Sequence, residues 1–188
     1  LFAAVHCPEF APGVELVLRR AAPGTAAVFA YDLLVAPDAA IGEVEFSWWV
    51  QDIPAHADVS QAEHDDAAAR VMFSFAGDTG RLSTRNRMLF ELALTLTGEA
   101  PPFATLIYVW DAKAPVGSVI VHPRSDRIRK VVVESGTSSL RTWRSYRRDL
   151  AADFRLAFGE PPGALQALAL MTDGDNTQSQ LATWYGEI

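Results

Sequence analysis

Glu43-Val44-Glu45-Phe46-Ser47-Trp48-Trp49-Val50 is the stretch that decides the fold. Successive side chains of a strand point to opposite faces. Val44, Phe46, Trp48 and Val50 therefore share one face, and Glu45, Ser47 and Trp49 share the other. The apolar face belongs to a core, which leaves Trp49 as the aromatic directed outward. Arg70 to Phe75 repeats the pattern, with Val71, Phe73 and Phe75 on the core side.

Working outward, short apolar or alternating runs recur along the whole chain. They are Val14–Leu18, Ala26–Val35, Val44–Val50, Arg70–Phe75, Met88–Leu96, Thr105–Trp110, Gly117–His122, Ile128–Glu134, Ala164–Met171 and Thr183–Ile188. Turn signals separate them, among them Ala22-Pro23-Gly24, Ala36-Pro37-Asp38, Ala76-Gly77-Asp78 and Glu160-Pro161-Pro162-Gly163. Many short strands punctuated this way predict a mostly β chain, a jelly-roll-like β-sandwich. Trp143, Tyr146, Leu150, Phe154 and Phe158 recur at spacings of three and four. That stripe predicts one helix late in the chain, capped by Ser138 or Ser139 and stopped at Gly159.

The chain has 188 residues and reads as a single domain, 1–188, long enough for a full core. Hydrophobic residues make up 49% and charged residues 21%, an ordinary globular composition. A net charge of −7 argues against nucleic acid as a partner. No run of eighteen apolar residues occurs, so no membrane insertion is expected. Cys7 is the one cysteine and cannot form an internal disulfide. The N-terminus shows no basic region followed by an apolar core. For its abrupt opening at Leu1-Phe2-Ala3, a mature or trimmed product is one expectation.

Two polar clusters and a supply of aromatics are the candidate sites. Thr172-Asp173-Gly174-Asp175-Asn176-Thr177 is a turn-forming run before the last strand. Asp173, Asp175, Asn176 and Glu187 offer oxygen ligands to a structural Ca²⁺, a cation that takes six to eight oxygens. No cofactor is required by this reading. The structural alternative is an Asx-type turn bonding nearby amides. His56, Asp58, Glu63, His64, Asp65 and Asp66 form the second cluster, which matches no zinc spacing. Its structural alternatives are an Asp66–Arg70 pair, or Asp66 turned inward to hold backbone amides. Trp49, Trp110, Trp143, Trp184 and Tyr185 are the candidate platforms for a sugar ring; Trp143 falls to the helical stripe, and Trp49, Trp184 and Tyr185 are favoured, with Arg148 as a bidentate polar contact. The basic stretch Arg124 to Arg148 reads as exposed faces with local ion pairs, including Arg148 with Asp149 or Asp153.

Nucleophile-elbow, phosphate-loop and His-Glu-x-x-His signatures are absent. An enzyme is the lesser expectation.

The order of several pieces resembles the bacterial family of unknown function DUF3047. They are Phe46-Ser47-Trp48-Trp49-Val50, Asp65-Asp66-Ala67-Ala68-Ala69-Arg70-Val71, Tyr108-Val109-Trp110 and Val131 through Gly136. Trp143, Arg148-Asp149, Asp153-Phe154, Phe158-Gly159-Glu160, the Thr172–Thr177 turn and Tyr185-Gly186-Glu187-Ile188 complete the set. This resemblance implies a compact β-rich domain, often exported, and carries no catalytic residues. The ending is also similar, more loosely, to galactose-binding-like jelly rolls, many of which bind carbohydrate. The expected function is therefore non-catalytic binding of carbohydrate, or another ligand, at a sandwich face. A glycan-active enzyme and an assembly domain with a protein partner are the alternatives. The enzyme requires two carboxylates in a cleft. The assembly domain requires a contiguous exposed apolar patch.

Overall fold

A computed structural model describes residues 17–21, 26–32, 41–186 and 188; Cys7 and Glu187 lie outside these. Among the described residues, ten strands form two sheets. In chain order they are β1 (Val17–Ala21), β2 (Ala26–Asp32), β3 (Glu43–Val50), β4 (Ala67–Phe75), β5 (Ala104–Asp111), β6 (Val119–Val121), β7 (Ile128–Ser135), β8 (Arg144–Asp149), β9 (Leu165–Asp173) and β10 (Leu181–Tyr185). The smaller sheet has the order β1-β10-β3-β8, and the larger has β2-β9-β4-β5-β7-β6. Strand pairs are antiparallel except β5 with β7, which run parallel. The mostly β, two-sheet architecture is the expected sandwich.

Alternation in β3 works as read from the sequence. Phe46, Trp48 and Val50 are buried, and they face Val71, Phe73 and Phe75 of β4 with Leu106, Tyr108 and Trp110 of β5. Phe46 stacks on Tyr108 with centroids 5.3 Å apart, and Trp48 meets Trp110 at 6.3 Å. Aromatic contacts of this kind add about 0.5–1.5 kcal/mol each to the burial term. Strand β5 is buried along its full length, because its other side carries a second, smaller core. There Val59 from the β3–β4 connection sits on Ile107, Val109 and Val132.

Among the described residues there are two α-helices, and the expectation of one is corrected. Helix α1 (Thr84–Thr97) occupies the Met88–Leu96 run, which the sequence reading places among the strands. Local chemistry overrides that placement. The Ser83 side chain accepts from the Asn86 amide at 3.2 Å, and Gly98 closes the helix with φ 78°. Helix α2 (Leu150–Phe158) is the expected late helix, shortened at its start. Trp143 precedes β8 and Tyr146 lies on it, so neither belongs to the helical stripe. Asp149 provides the cap in place of Ser138 or Ser139, accepting from the Ala152 amide at 2.8 Å. Leu150 and Phe154 are buried, and Gly159 ends the helix as read.

Candidate functional site

The outer face of the smaller sheet carries a row of indoles. Trp184 on β10 pairs directly with Trp49 on β3. Their rings meet edge to face, with centroids 4.7 Å apart at 89°. Trp143 stands immediately before β8, next to Arg144, which pairs with Trp48 of β3. Gly186 allows this crowding. A Cβ there would stand 2.2 Å from Ser47 Oγ and 3.7 Å from the Trp143 ring. Trp49, Trp143 and Trp184 are all half-buried. Polar groups continue the same face beyond them, where Ser47 pairs with Ser145 and Glu45 with Arg147.

Tyr185 and Arg148 do not join this row. Tyr185 points between the sheets and is fully buried. Its hydroxyl donates to the Met171 carbonyl at 2.6 Å and accepts from the Arg70 amide at 3.2 Å. Arg148 also turns inward, because it shares register with Val44 on the core face of β3. Its guanidinium grips Asp153 at 2.7 and 2.8 Å, the ion pair already legible in the sequence. Asp153 accepts the Tyr108 hydroxyl as well, at 2.7 Å. Glu134 is held in the same manner by Arg144 and Tyr146, each at 3.0 Å.

At the end of the larger sheet the two polar clusters of the sequence meet. Asp66 reaches the terminal turn and accepts from the Asn176 amide at 3.2 Å. It also accepts from the Thr177 amide and the Thr177 hydroxyl, both at 2.6 Å. The Asn176 side chain in turn donates to the Ala62 carbonyl at 2.8 Å. Asp66 thus holds backbone amides, as one sequence alternative had it, while Arg70 pairs with Asp65 at 2.8 Å and Asp173 at 3.0 Å.

Asp65 is the hub beneath this turn. It also receives the Lys130 ammonium at 2.5 Å and His122 Nε2 at 3.2 Å. Lys130 is only 1% exposed and donates to the Val59 carbonyl at 2.6 Å. Burial favours the neutral form of each group, and the partners decide the outcome. At Asp65, burial is outweighed by the His122 hydrogen bond and by the Arg70 and Lys130 charges, which bring it down to about 2. At Lys130, burial prevails over the attraction of Asp65 and lowers it to about 8. At Asp173, burial prevails over Arg70, helped by Asp175 and Asp66, and raises it to about 6.

Asp66, Asp173 and Asp175 bring ligand oxygens within 4.8 Å of one another. Two of the four expected metal ligands, Asp173 and Asp175, are in this group, and Asp66 is the one sequence spacing did not supply. Its signal was the Asp65-Asp66 doublet before β4. Asn176 contributes its amide groups to Asp66 and Ala62 as described, and Glu187 lies outside the described residues.

The described surface also has a cavity of about 190 Å³ between α1 and the larger sheet. Leu82, Leu89, Phe90, Phe103 and Arg127 line it, and its lining includes no carboxylate.

Comparison with known families gives one positive finding. The family model described as "Protein of unknown function (DUF3047)" matches residues 12–188. The chain belongs to the DUF3047 family. No curated protein and no solved structure matches it.

Proposed function

We propose that this DUF3047 domain is a non-catalytic carbohydrate-binding domain whose ligand lies on the outer face of the smaller sheet. The observation that carries the reading is the Trp184–Trp49 pair on adjacent strands, with the Trp143 ring close by at Gly186. A sugar ring offers one apolar face, and flat indoles give it contact area at low conformational cost. Ser47, Ser145, Glu45 and Arg147 on the same face are hydroxyl-bonding groups for the remainder of a chain. Binding pockets are mostly apolar with a few placed polar groups, and the row with its polar border has that composition.

Calcium enters as a structural accessory at Asp66, Asp173 and Asp175. Three carboxylates are a suitable nucleus for a hard cation, with solvent or backbone oxygens completing the shell. Its role would be to fix the terminal turn, remote from the sugar.

The test is a glycan panel probed with the purified domain, in calcium and in EDTA. A reproducible hit weakened about tenfold or more by Trp49→Ala or Trp184→Ala supports the reading, on the scale of one lost aromatic contact. Undiminished binding by both variants removes the platform. Turnover of a bound glycan would move the assignment to a glycan-active enzyme.

A further inference from the structure

Helix α1 presents apolar residues to solvent. Met88, Leu92 and Leu96 recur at intervals of four, which stacks them on one side of a helix. They are 64%, 52% and 75% exposed. Asn86, Phe90 and Ala93 form the side that faces the body and lines the cavity. The stripe is thus a second apolar face, left over after the first has packed. Exposed contiguous apolar surface of this kind marks an interaction site.

The charges on α1 say what covers it. A helix is stabilised by acidic groups in its first turn and basic groups in its last. Helix α1 has the reverse order, with Arg85 and Arg87 in its first turn, no acid there and no base in its last turn. Among the described residues, both arginines bond only backbone oxygens: Arg85 that of Arg124, Arg87 those of Gly80 and Leu82. Glu99, just beyond the Gly98 cap, is exposed at the other end. Each end of α1 therefore carries the charge that the opposite end requires.

We infer that a second copy of this chain packs its α1 antiparallel on this stripe. A two-fold axis through Leu92 sets Leu92 on its own counterpart and Met88 on Leu96 of the second copy. The same axis sets Arg85 against Glu99 of the second copy, at the negative C-terminal end of that helix. The order of apolar and charged residues along the patch is self-complementary, as a two-fold interface must be. Helix α1 has 14 residues, a length of about 21 Å. One helix face buries less than the roughly 800 Å² per partner of a tight complex, so the dimer forms at micromolar concentration, on the order of 10 µM.

Sedimentation velocity of the whole chain, from about 2 to 200 µM, reads this directly. The expected result is a monomer–dimer equilibrium. Leu92→Glu places two carboxylates on the axis and weakens dimerisation at least ~100-fold, whereas Leu94→Glu, on another side of the helix, leaves it unchanged. Arg85→Glu weakens it about tenfold, and adding Glu99→Arg restores it to within about threefold. These positions are exposed, and unchanged circular dichroism confirms that the variants fold. A monomer at every concentration overturns the inference, as does a dimer indifferent to Leu92→Glu. Capture of a monomeric chain by phosphatidylglycerol vesicles, lost in Leu92→Glu, assigns the stripe to a lipid surface and equally overturns it.

Discussion

Asp66 accepts hydrogen bonds from residues 110 and 111 positions later in the chain. Such a contact resists substitution because it leaves two amides and a hydroxyl without their acceptor. Asp66→Ala is expected to cost about 2–4 kcal/mol, read as a lower midpoint in urea denaturation at unchanged slope. Asp173 predicts a pH dependence of definite sign. Its carboxyl ionises near 3.8 in the unfolded chain and holds its proton up to about 6 in the fold. The fold therefore binds the extra proton between those values, and this group lowers stability as pH rises from about 4 through 6. In EDTA, the melting temperature of the native chain relative to Asp173→Asn should fall across that window; a flat difference would contradict the environment assigned to Asp173. The sequence offered both possibilities for Asp66, and only tertiary pairing could choose between them. Neighbouring Asp65 and Asp66 point to different partners, and nothing local in the sequence distinguishes two consecutive aspartates.

At the scale of elements, legibility followed the source of each element's stability. Strand β3 was readable because Phe46, Trp48 and Val50 alternate and tertiary burial agrees with that alternation. Helix α1 was misread because Leu92, Leu94 and Leu96 also alternate, yet no core receives them on one side. Its signals were the Ser83 cap and Gly98, which are local and outweigh a period of two. The late stripe was half right: Leu150, Phe154 and Phe158 form α2, whereas Tyr146 reaches the same core from β8. A strand side chain and a helix side chain can face one core at helical spacing by coincidence of the turn at Asp149. That turn is testable. Asp149→Ala removes the α2 cap and should cost about 1 kcal/mol, while Ser139→Ala, at a residue once expected to cap, should cost close to nothing. Equal losses in thermal melts would contradict the observed helix start. The parallel pairing of β5 with β7 left no mark in the sequence, because alternation specifies faces and not strand direction.

The whole molecule separates its candidate surfaces. The tryptophan row lies on the outside of the smaller sheet, the carboxylate turn at the end of β9, and the apolar stripe on α1. Sequence supplied Trp49, Trp143 and Trp184 as candidates, and sheet register brought Trp49 and Trp184 together. It misplaced Tyr185, since residues 184 and 185 of one strand must face opposite ways. Separation makes the functions independent: Leu92→Glu should leave glycan binding intact, and Trp184→Ala should leave self-association intact. Any mutual effect in paired assays would contradict that independence.

The most direct measurement is binding of the purified domain to a glycan panel, repeated with Trp184→Ala after its fold is verified by near-ultraviolet circular dichroism. The account predicts a reproducible glycan hit that falls about tenfold or more in the variant, whose melting curve stays cooperative. A hit that the folded variant retains in full, or a panel without a hit in calcium and in EDTA, would contradict the assignment of the tryptophan row as a carbohydrate platform.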